Sequence, residues 1–276
     1  MYNCVENTDF RGKSCSVCGI GISNYPLIDF LLSRGASVVA RDRKSEAELS
    51  CAAALRGRGV ELRCGEDYLD DIEEDYIFRA PGIRYDVPGF VRAVKRGSIL
   101  TSEMQLFFEL CPCRIIGITG SDGKTTTTTL ISKILEAAGY RVFVGGNIGR
   151  PLLPELGNMT ENDYAVVELS SFQLHTMTLS PDIAVVTNIS PNHLNYHKGM
   201  EEYIAAKENI FTHMRPGGRL VLNAENDYTR DMANRAAEGT DLLFFGKDGD
   251  ICERDGYITS GGKRILRCSD ILLPGH

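Results

Sequence analysis

One stretch constrains this chain more than any other: Ile115-Ile116-Gly117-Ile118-Thr119-Gly120-Ser121-Asp122-Gly123-Lys124-Thr125-Thr126. The apolar run reads as a buried strand, the two glycines after it as a tight loop, and Lys-Thr as the opening of a helix through Leu130 to Ala138. Strand, loop and helix in that order imply a parallel sheet covered by helices. They also build an anion site. Glycines let backbone N–H groups turn inward around phosphate oxygens, and the helix N-terminus adds positive potential. Lys124 can reach the outer phosphates, and the Thr125 hydroxyl can ligate Mg²⁺. The longer G-x-x-x-x-G-K-[ST] form would need Gly at 118, where this chain has Ile, so the fit is to T-G-x-x-G-K-T. Thr119, Gly120, Ser121, Asp122, Gly123, Lys124, Thr125 and Thr126 are the expected ATP-binding set; a Gly/Thr-rich helix cap is the plain alternative.

Strand-helix alternation extends to both sides of this loop. Upstream, Cys15 to Cys18 reads as a strand, followed by the turn Gly19-Ile20-Gly21-Ile22-Ser23 and a helix carrying Leu27, Phe30 and Leu31. A strand at 37–40, a helix through 47–55 and a strand at 76–80 follow. Gly19 and Gly21 fit G-x-G, and Asp42 follows the second strand, where a ribose or base donor is usually met. The third fingerprint position is Asn24, so a nicotinamide cofactor is weakly supported and a structural tight turn serves as well. Ser102 with Gln105 makes a capping box for the helix Glu103 to Leu110 and marks the boundary between a Rossmann-like domain, 1–102, and a P-loop-type ATPase domain, 103–276. Downstream, strands are expected at 114–119, 141–144, 165–169, 183–188, 219–222 and 242–245. Helix Met200 to Phe211 lies among them, and a hairpin region spans Ile251 to Leu273.

Composition excludes several classes. With 276 residues, 43% apolar and 24% charged, the chain buries a real core. A formal charge of −7 argues against nucleic acid as a partner. No apolar run approaches the roughly 20 residues of a spanning helix, so membrane insertion is not expected. The start MYNCVENTDF lacks the pattern of a signal peptide. Nine cysteines, an odd number set in or beside apolar runs, read as reduced thiols of a cytoplasmic protein. Two spacings suggest zinc, Cys15 to Cys18 and Cys111 with Cys113, but four matched soft ligands are missing and buried free thiols are the simpler reading.

Single residues carry the remaining chemistry. Glu168 ends the apolar run Ala165-Val166-Val167, where a carboxylate costs several kcal/mol unless a cation compensates it, by roughly that order. Next to the phosphate loop it suits Mg²⁺; the alternative is hydrogen bonding to Ser170 or Ser171. Lys207 has Tyr203, Ile204, Ile210 and Phe211 at helical spacing, so it shares an apolar face. Desolvation lowers a lysine's pKa, and a neutral amine can take up CO₂ as a carbamate, a metal-binding anion. A lysine that snorkels past an apolar stripe explains the same pattern. His193 follows a strand terminus of the same sheet and divides evenly between ligand and solvated loop residue. Asn147, in Gly145-Gly146-Asn147-Ile148-Gly149, can approach a ligand or sit in an ordinary turn. His197 reads as a surface residue, and His175 receives no role.

Together, in this order, these elements resemble the Mur ligase family. The carriers are Gly19 to Ser23, Ala80-Pro81-Gly82-Ile83, Thr119 to Thr126, Gly145 to Gly149, Glu168-Leu169-Ser170-Ser171-Phe172-Gln173-Leu174 and Asn188 to Leu194. The resemblance covers essentially the whole chain. It implies an ATP-dependent acid:amine ligase of peptidoglycan synthesis, and the Glu168 to Leu174 run points to the member that adds D-glutamate to UDP-N-acetylmuramoyl-L-alanine through an acyl phosphate. It implies Lys124, Glu168, His193 and Lys207 as catalytic residues, ATP and Mg²⁺ as cofactors, and Thr125, Glu168, His193 and carbamylated Lys207 as metal ligands. Gly21, Ile22, Ser23, Asp42 and Gly82 would hold the UDP group, with Asn147, Ser170 and His193 toward the muramoyl-alanine end. A cytoplasmic monomer is expected. Asn195 stands where the family has Asp, and Ala80 where it has a hydroxyl residue. The family's C-terminal domain is not in this sequence, so the chain reads as a truncated ligase. A fragment that only binds the UDP substrate or Mg-nucleotide, and a nicotinamide-dependent oxidoreductase, are the competing readings.

Overall fold

A computed structural model describes residues 9–271. Cys4 and the end of the expected hairpin region, residues 272 and 273, lie outside the described residues. Five strands make the first sheet: β1 (Ser14–Cys18), β2 (Ser37–Asp42), β3 (Glu61–Cys64), β4 (Tyr76–Arg79) and β5 (Ile99–Thr101). Their order is β3-β2-β1-β4-β5, parallel throughout. Helices α1 (Asn24–Ser33), α2 (Ala52–Gly57) and α3 (Pro88–Arg96) accompany it. The order reverses beside β1, so the loops after β1 and β4 border one crevice, the position where open α/β sheets take ligands.

Helix α4 (Glu103–Leu110) leads to a second sheet through β6 (Arg114–Thr119), α5 (Lys124–Ala137), β7 (Val142–Gly146), β8 (Tyr164–Glu168), α6 (Ser171–Leu174) and β9 (Ile183–Val186). There follow α7 (Met200–Glu208), β10 (Arg219–Asn223), α8 (Asp227–Met232), β11 (Asp241–Phe245), β12 (Ile251–Arg254), β13 (Tyr257–Ser260) and β14 (Lys263–Arg267). This nine-stranded sheet runs β14-β13-β12-β11-β10-β9-β6-β8-β7, parallel from β7 to β12 and antiparallel through the two terminal hairpins. β6 and β8 are continuous apolar runs because both faces are covered. β6 lies between β8 and β9, so its carboxyl end is the switch point of the sheet.

Several elements differ from the sequence expectation. β3, β5, α3, α6 and α8 are additional. β3 has one buried residue and β5 is three residues long, which leaves little periodic signal to detect. The helix expected over 47–55 splits at Leu49 into a 3₁₀ turn, Glu46–Glu48, closed by a Ser45–Glu48 capping box, and α2. α7 stops at Glu208, short of Phe211. The Ser102 cap is half a capping box. Ser102 Oγ accepts from Gln105 N at 3.1 Å, but the Gln105 side chain donates instead to Glu109 and Thr178. Cys15 and Cys18 are buried in separate apolar clusters, and burial pushes both thiols up to about 12. No described helix is long and apolar enough to cross a membrane.

Candidate active site

The loop between β6 and α5 is propped from behind by residues 187–190, which follow β9. Ser121 N donates to Asn188 O, Thr187 Oγ1 donates to Asp122 O at 2.6 Å, and Asp122 N donates to Asn188 Oδ1. Gly120 has φ +146°, and a Cβ there would stand 1.9 Å from Thr187 Oγ1, so only glycine fits. Gly123 caps α5 with φ +78°. Lys124 Nζ folds back to Ser121 O at 2.8 Å, which places its ammonium over the loop at the helix N-terminus, where a phosphate would be held. Ser121 Oγ shares a hydrogen bond with Tyr203 Oη at 2.9 Å and accepts from Ser190 N at 2.9 Å. Ser121→Ala is expected to cost about 1–2 kcal/mol by urea denaturation, because the loop loses this buried support; an unchanged midpoint would show that the brace carries no energy.

Glu168, 1% exposed, comes from the end of β8. Its Oε2 accepts from Thr125 Oγ1 at 2.7 Å and its Oε1 from Asn147 Nδ2 at 2.8 Å, so neither Ser170 nor Ser171 satisfies it. Ser170 instead caps α6 in a capping box with Gln173. Asn147 is delivered by its own backbone N–H on Glu168 O, and the chain passes so close that a Cβ on Gly146 would lie 2.2 Å from that carbonyl. Among the described residues no cation lies within ion-pair distance of this carboxylate. A buried carboxylate with only neutral donors, beside a hydroxyl and a phosphate-type loop, is the donor set of a hard divalent cation such as Mg²⁺.

Lys207 is 2% exposed and does not snorkel to solvent. Its Nζ donates to Gly120 O at 2.7 Å and to Thr119 Oγ1 at 3.3 Å, and stands 4.9 Å from the Tyr203 ring centroid. Burial first, then the charge of Lys124, brings its pKa down to about 7, so a substantial neutral fraction is present at neutral pH.

His193 lies on the exposed loop after β9, with φ +54°, and its ring is 4.9 Å from that of Phe172. Phe172 also packs on Tyr196, 4.3 Å between centroids. Tyr196 is held by the first sheet's loops: its hydroxyl donates to Pro81 O, and Arg84 donates to its carbonyl. Arg84 also grips Glu202 Oε1 at 2.8 Å and Asp86 Oδ1 at 2.8 Å, and its guanidinium holds the Glu202 carboxyl down at about 2. His197 is a correction. It is buried, its Nε2 paired with Ser171 Oγ at 2.9 Å, and burial brings its pKa down to about 4. His175, His197 and Glu202 are close enough to share a cation, but Arg84 already occupies the carboxylate and opposes one.

In the first sheet Asp42 Oδ2 accepts from Ile20 N at 2.8 Å and fixes the loop after β1. Gly21, Ile22 and Gly82 are exposed along the crevice, with Ser23 partly so. The structure thus joins Thr125, Glu168 and Asn147 directly and sets Lys124 and Lys207 on the same loop; His193 reaches this group only through its own loop. Arg79 is a site-supporting residue that sequence reasoning missed. Fully buried at the end of β4, it donates to Ile83 O and Pro81 O on its own side, and to Phe172 O (2.8 Å) and Thr176 Oγ1 (3.0 Å) across the junction. An arginine ending the apolar run Tyr76-Ile77-Phe78 was the available signal.

Residues 118–269 match the family profile described as Mur ligase middle domain. The chain belongs to the Mur ligase family. Among curated relatives, UDP-N-acetylmuramoylalanine--D-glutamate ligase of Acetivibrio thermocellus is 47% identical over 96% of this chain, and that of Clostridium kluyveri 53% over 95%. The chain spans 59% and 58% of their lengths. Among solved Mur ligase structures, UDP-N-acetylmuramate:L-alanyl-gamma-D-glutamyl-meso-diaminopimelate ligase from Neisseria meningitides aligns at a TM-score of 0.59, with 18% identity, over 91% of this chain and 85% of its own. UDP-N-acetylmuramate-alanine ligase from Thermotoga maritima aligns at 0.53, with 22% identity, over 92% and 59%. At these identities the structures establish the Mur ligase fold.

Proposed function

We propose that this chain carries the UDP-substrate and ATP-binding domains of an ATP-dependent ligase that joins D-glutamate to UDP-N-acetylmuramoyl-L-alanine in peptidoglycan synthesis. The observation that carries the reading is Glu168, buried between Thr125 and Asn147 at the mouth of the phosphate loop. The names of the relatives at 46–53% identity supply the substrate pair. Two separate sheets support the division into a domain over 1–102, with Gly21, Ile22, Ser23, Asp42 and Gly82 toward the UDP group, and a domain over 103–276. The same reading puts the chain in the cytoplasm, where ATP and the nucleotide-linked precursor are found, as a monomer.

The physical problem is that a carboxylate is a poor electrophile and is repelled by a triphosphate. Backbone N–H groups of 119–126 hold the phosphates of ATP, consumed as a substrate, and Lys124 neutralises the transferred group. Thr125 and Glu168 would hold one Mg²⁺, and His193 with carbamylated Lys207 a second. Bound there, such ions would screen the charge between carboxylate and triphosphate. The alanine carboxylate oxygen attacks the γ-phosphorus and ADP leaves. The D-glutamate amine attacks the resulting acyl carbon, loses a proton and expels phosphate. Lys207 forms the carbamate when its neutral amine bonds to CO₂ and releases a proton. Asn147 and Ser170 lie toward the muramoyl-alanine end.

Phosphate release is the test, measured with ATP, Mg²⁺, UDP-N-acetylmuramoyl-L-alanine and D-glutamate together and with each omitted. Release that needs all four supports the ligase. Saturable binding of the UDP substrate without release supports the narrower reading, a binding unit. Lys124→Ala and Glu168→Gln are each expected to weaken Mg-ATP binding about 10- to 100-fold, as lost charged contacts do. Binding equal to the parent in both variants would sink the site assignment. Lys207→Ala rescued by a small carboxylic acid identifies the carbamate.

A further inference from the structure

The connector Cys111-Pro112-Cys113 joins the end of α4 to the start of β6, at the end of the sheet opposite the phosphate loop. Proline between the two cysteines fixes φ and restricts the preceding residue to extended backbone. Cys111 accordingly has φ −65° and ψ 119°. Both side chains then fall on the same side of the connector, with Cys111 Sγ 3.3 Å from Cys113 Sγ. Cys113 Sγ rests 4.0 Å from Met159 Sδ, which closes its inner side. Both cysteines line a surface groove of about 630 Å³, with Ile115, Asp182 and Arg215 among its other walls. The remaining described thiols form no such pair: Cys15 and Cys18 lie in different clusters, and none of Cys51, Cys64, Cys252 and Cys268 has a second cysteine at hydrogen-bond distance.

We propose that Cys111 and Cys113 are a dithiol oxidation site, closed to an intramolecular disulfide by a small disulfide oxidant that enters this groove. Two groups in contact, separated by one rigid residue, need only approach by rotation about their own side-chain bonds. Cys111 is half-buried and Cys113 is 5% exposed, but both border the groove, so either sulfur can meet the oxidant first and the other then resolves the mixed disulfide.

The chemistry balances in two exchanges. The thiolate of one cysteine attacks one sulfur of the oxidant, the S–S bond of the oxidant breaks, and one small thiolate leaves. The other cysteine loses its proton to solvent, attacks the protein sulfur of the mixed disulfide and expels the second small thiolate. Two protein thiols are oxidised by two electrons, and one small disulfide is reduced to two thiols.

The native chain is treated with hydroxyethyl disulfide, quenched with acid, alkylated and digested with trypsin. The peptide 97–114 contains Cys111 and Cys113 and no other cysteine. It is expected to be about 2 Da lighter and to resist alkylation until a reductant is added, with two thiols lost from the chain, ahead of any other cysteine. A peptide still alkylated on both residues after other cysteines have reacted overturns the proposal. In Cys111→Ser and Cys113→Ser a stable mixed disulfide is expected on the remaining thiol of at least one variant, because the resolving thiol is gone. No adduct on the remaining thiol in either variant overturns the proposal.

Discussion

Arg79→Ala is expected to lower the stability of the chain by about 3–5 kcal/mol and its Tm by about 10 °C, measured by urea and thermal denaturation. The guanidinium is 1% exposed and spans the junction between the two sheets. On one side Nη1 donates to Pro81 O and Ile83 O, which shapes the loop that carries Gly82. On the other, Nη2 donates to Phe172 O, in the helix that follows Glu168. Truncation takes the guanidinium donors from Ile83 O and Phe172 O, leaves Pro81 O with the Tyr196 hydroxyl alone, and opens a cavity the length of the side chain. Charge alone does not explain the expected loss, since Arg79→Lys keeps the charge but not the planar fork; it should recover less than half of the stability. A loss below about 1 kcal/mol would show that the two sheets hold together without this residue. Arg84 is the weaker partner of the same junction, because its side chain is 19% exposed and water can replace part of what it holds.

What was legible in the sequence is what lies in consecutive residues or at fixed spacing. The phosphate loop is one continuous run, so its residue types alone state its shape. Glu168 stood out because an acid ended an apolar strand, and Lys207 because its neighbours at three and four residues were apolar. Both inferences rest on periodicity within one element. The junction was hidden because it is built from pairs far apart in the chain. Arg79 meets Phe172 93 residues later, Arg84 meets Glu202 118 residues later, and Ser121 meets Tyr203 82 residues later. No local pattern encodes such contacts. His197 was misread for the same reason. Its own neighbours, Tyr196 and Lys198, suggest a surface loop, but the ring packs on Tyr203 at 5.3 Å and on Phe172 at 5.7 Å. β3 was invisible because only one of its residues is buried, and β5 because three residues hold too few side chains to display a period.

Glu103→Gln is expected to be more stable than the parent above pH 7 by about 3 kcal/mol, with the advantage vanishing toward pH 4.5. Glu103 opens α4 at the boundary of the two domains and is 5% exposed. Burial pushes its pKa from 4.5 up to about 7, against a smaller lowering from the Leu153 backbone N–H. Oε1 has no hydrogen-bond partner among the described residues, which is why burial prevails. A carboxyl whose folded pKa is raised holds its proton longer in the native state than in the unfolded chain. Native stability from this group is therefore complete below pH 4.5 and is lost as pH rises through about 7, where a charge must be carried in an apolar site. Glutamine has nearly the same shape and never acquires that charge. His175 and His197, whose pKa values burial lowers to about 4, are present in both proteins and cancel in the difference. Urea denaturation of parent and variant at pH 5, 6, 7 and 8 measures it, and parallel profiles across that range would refute the buried, protonated Glu103.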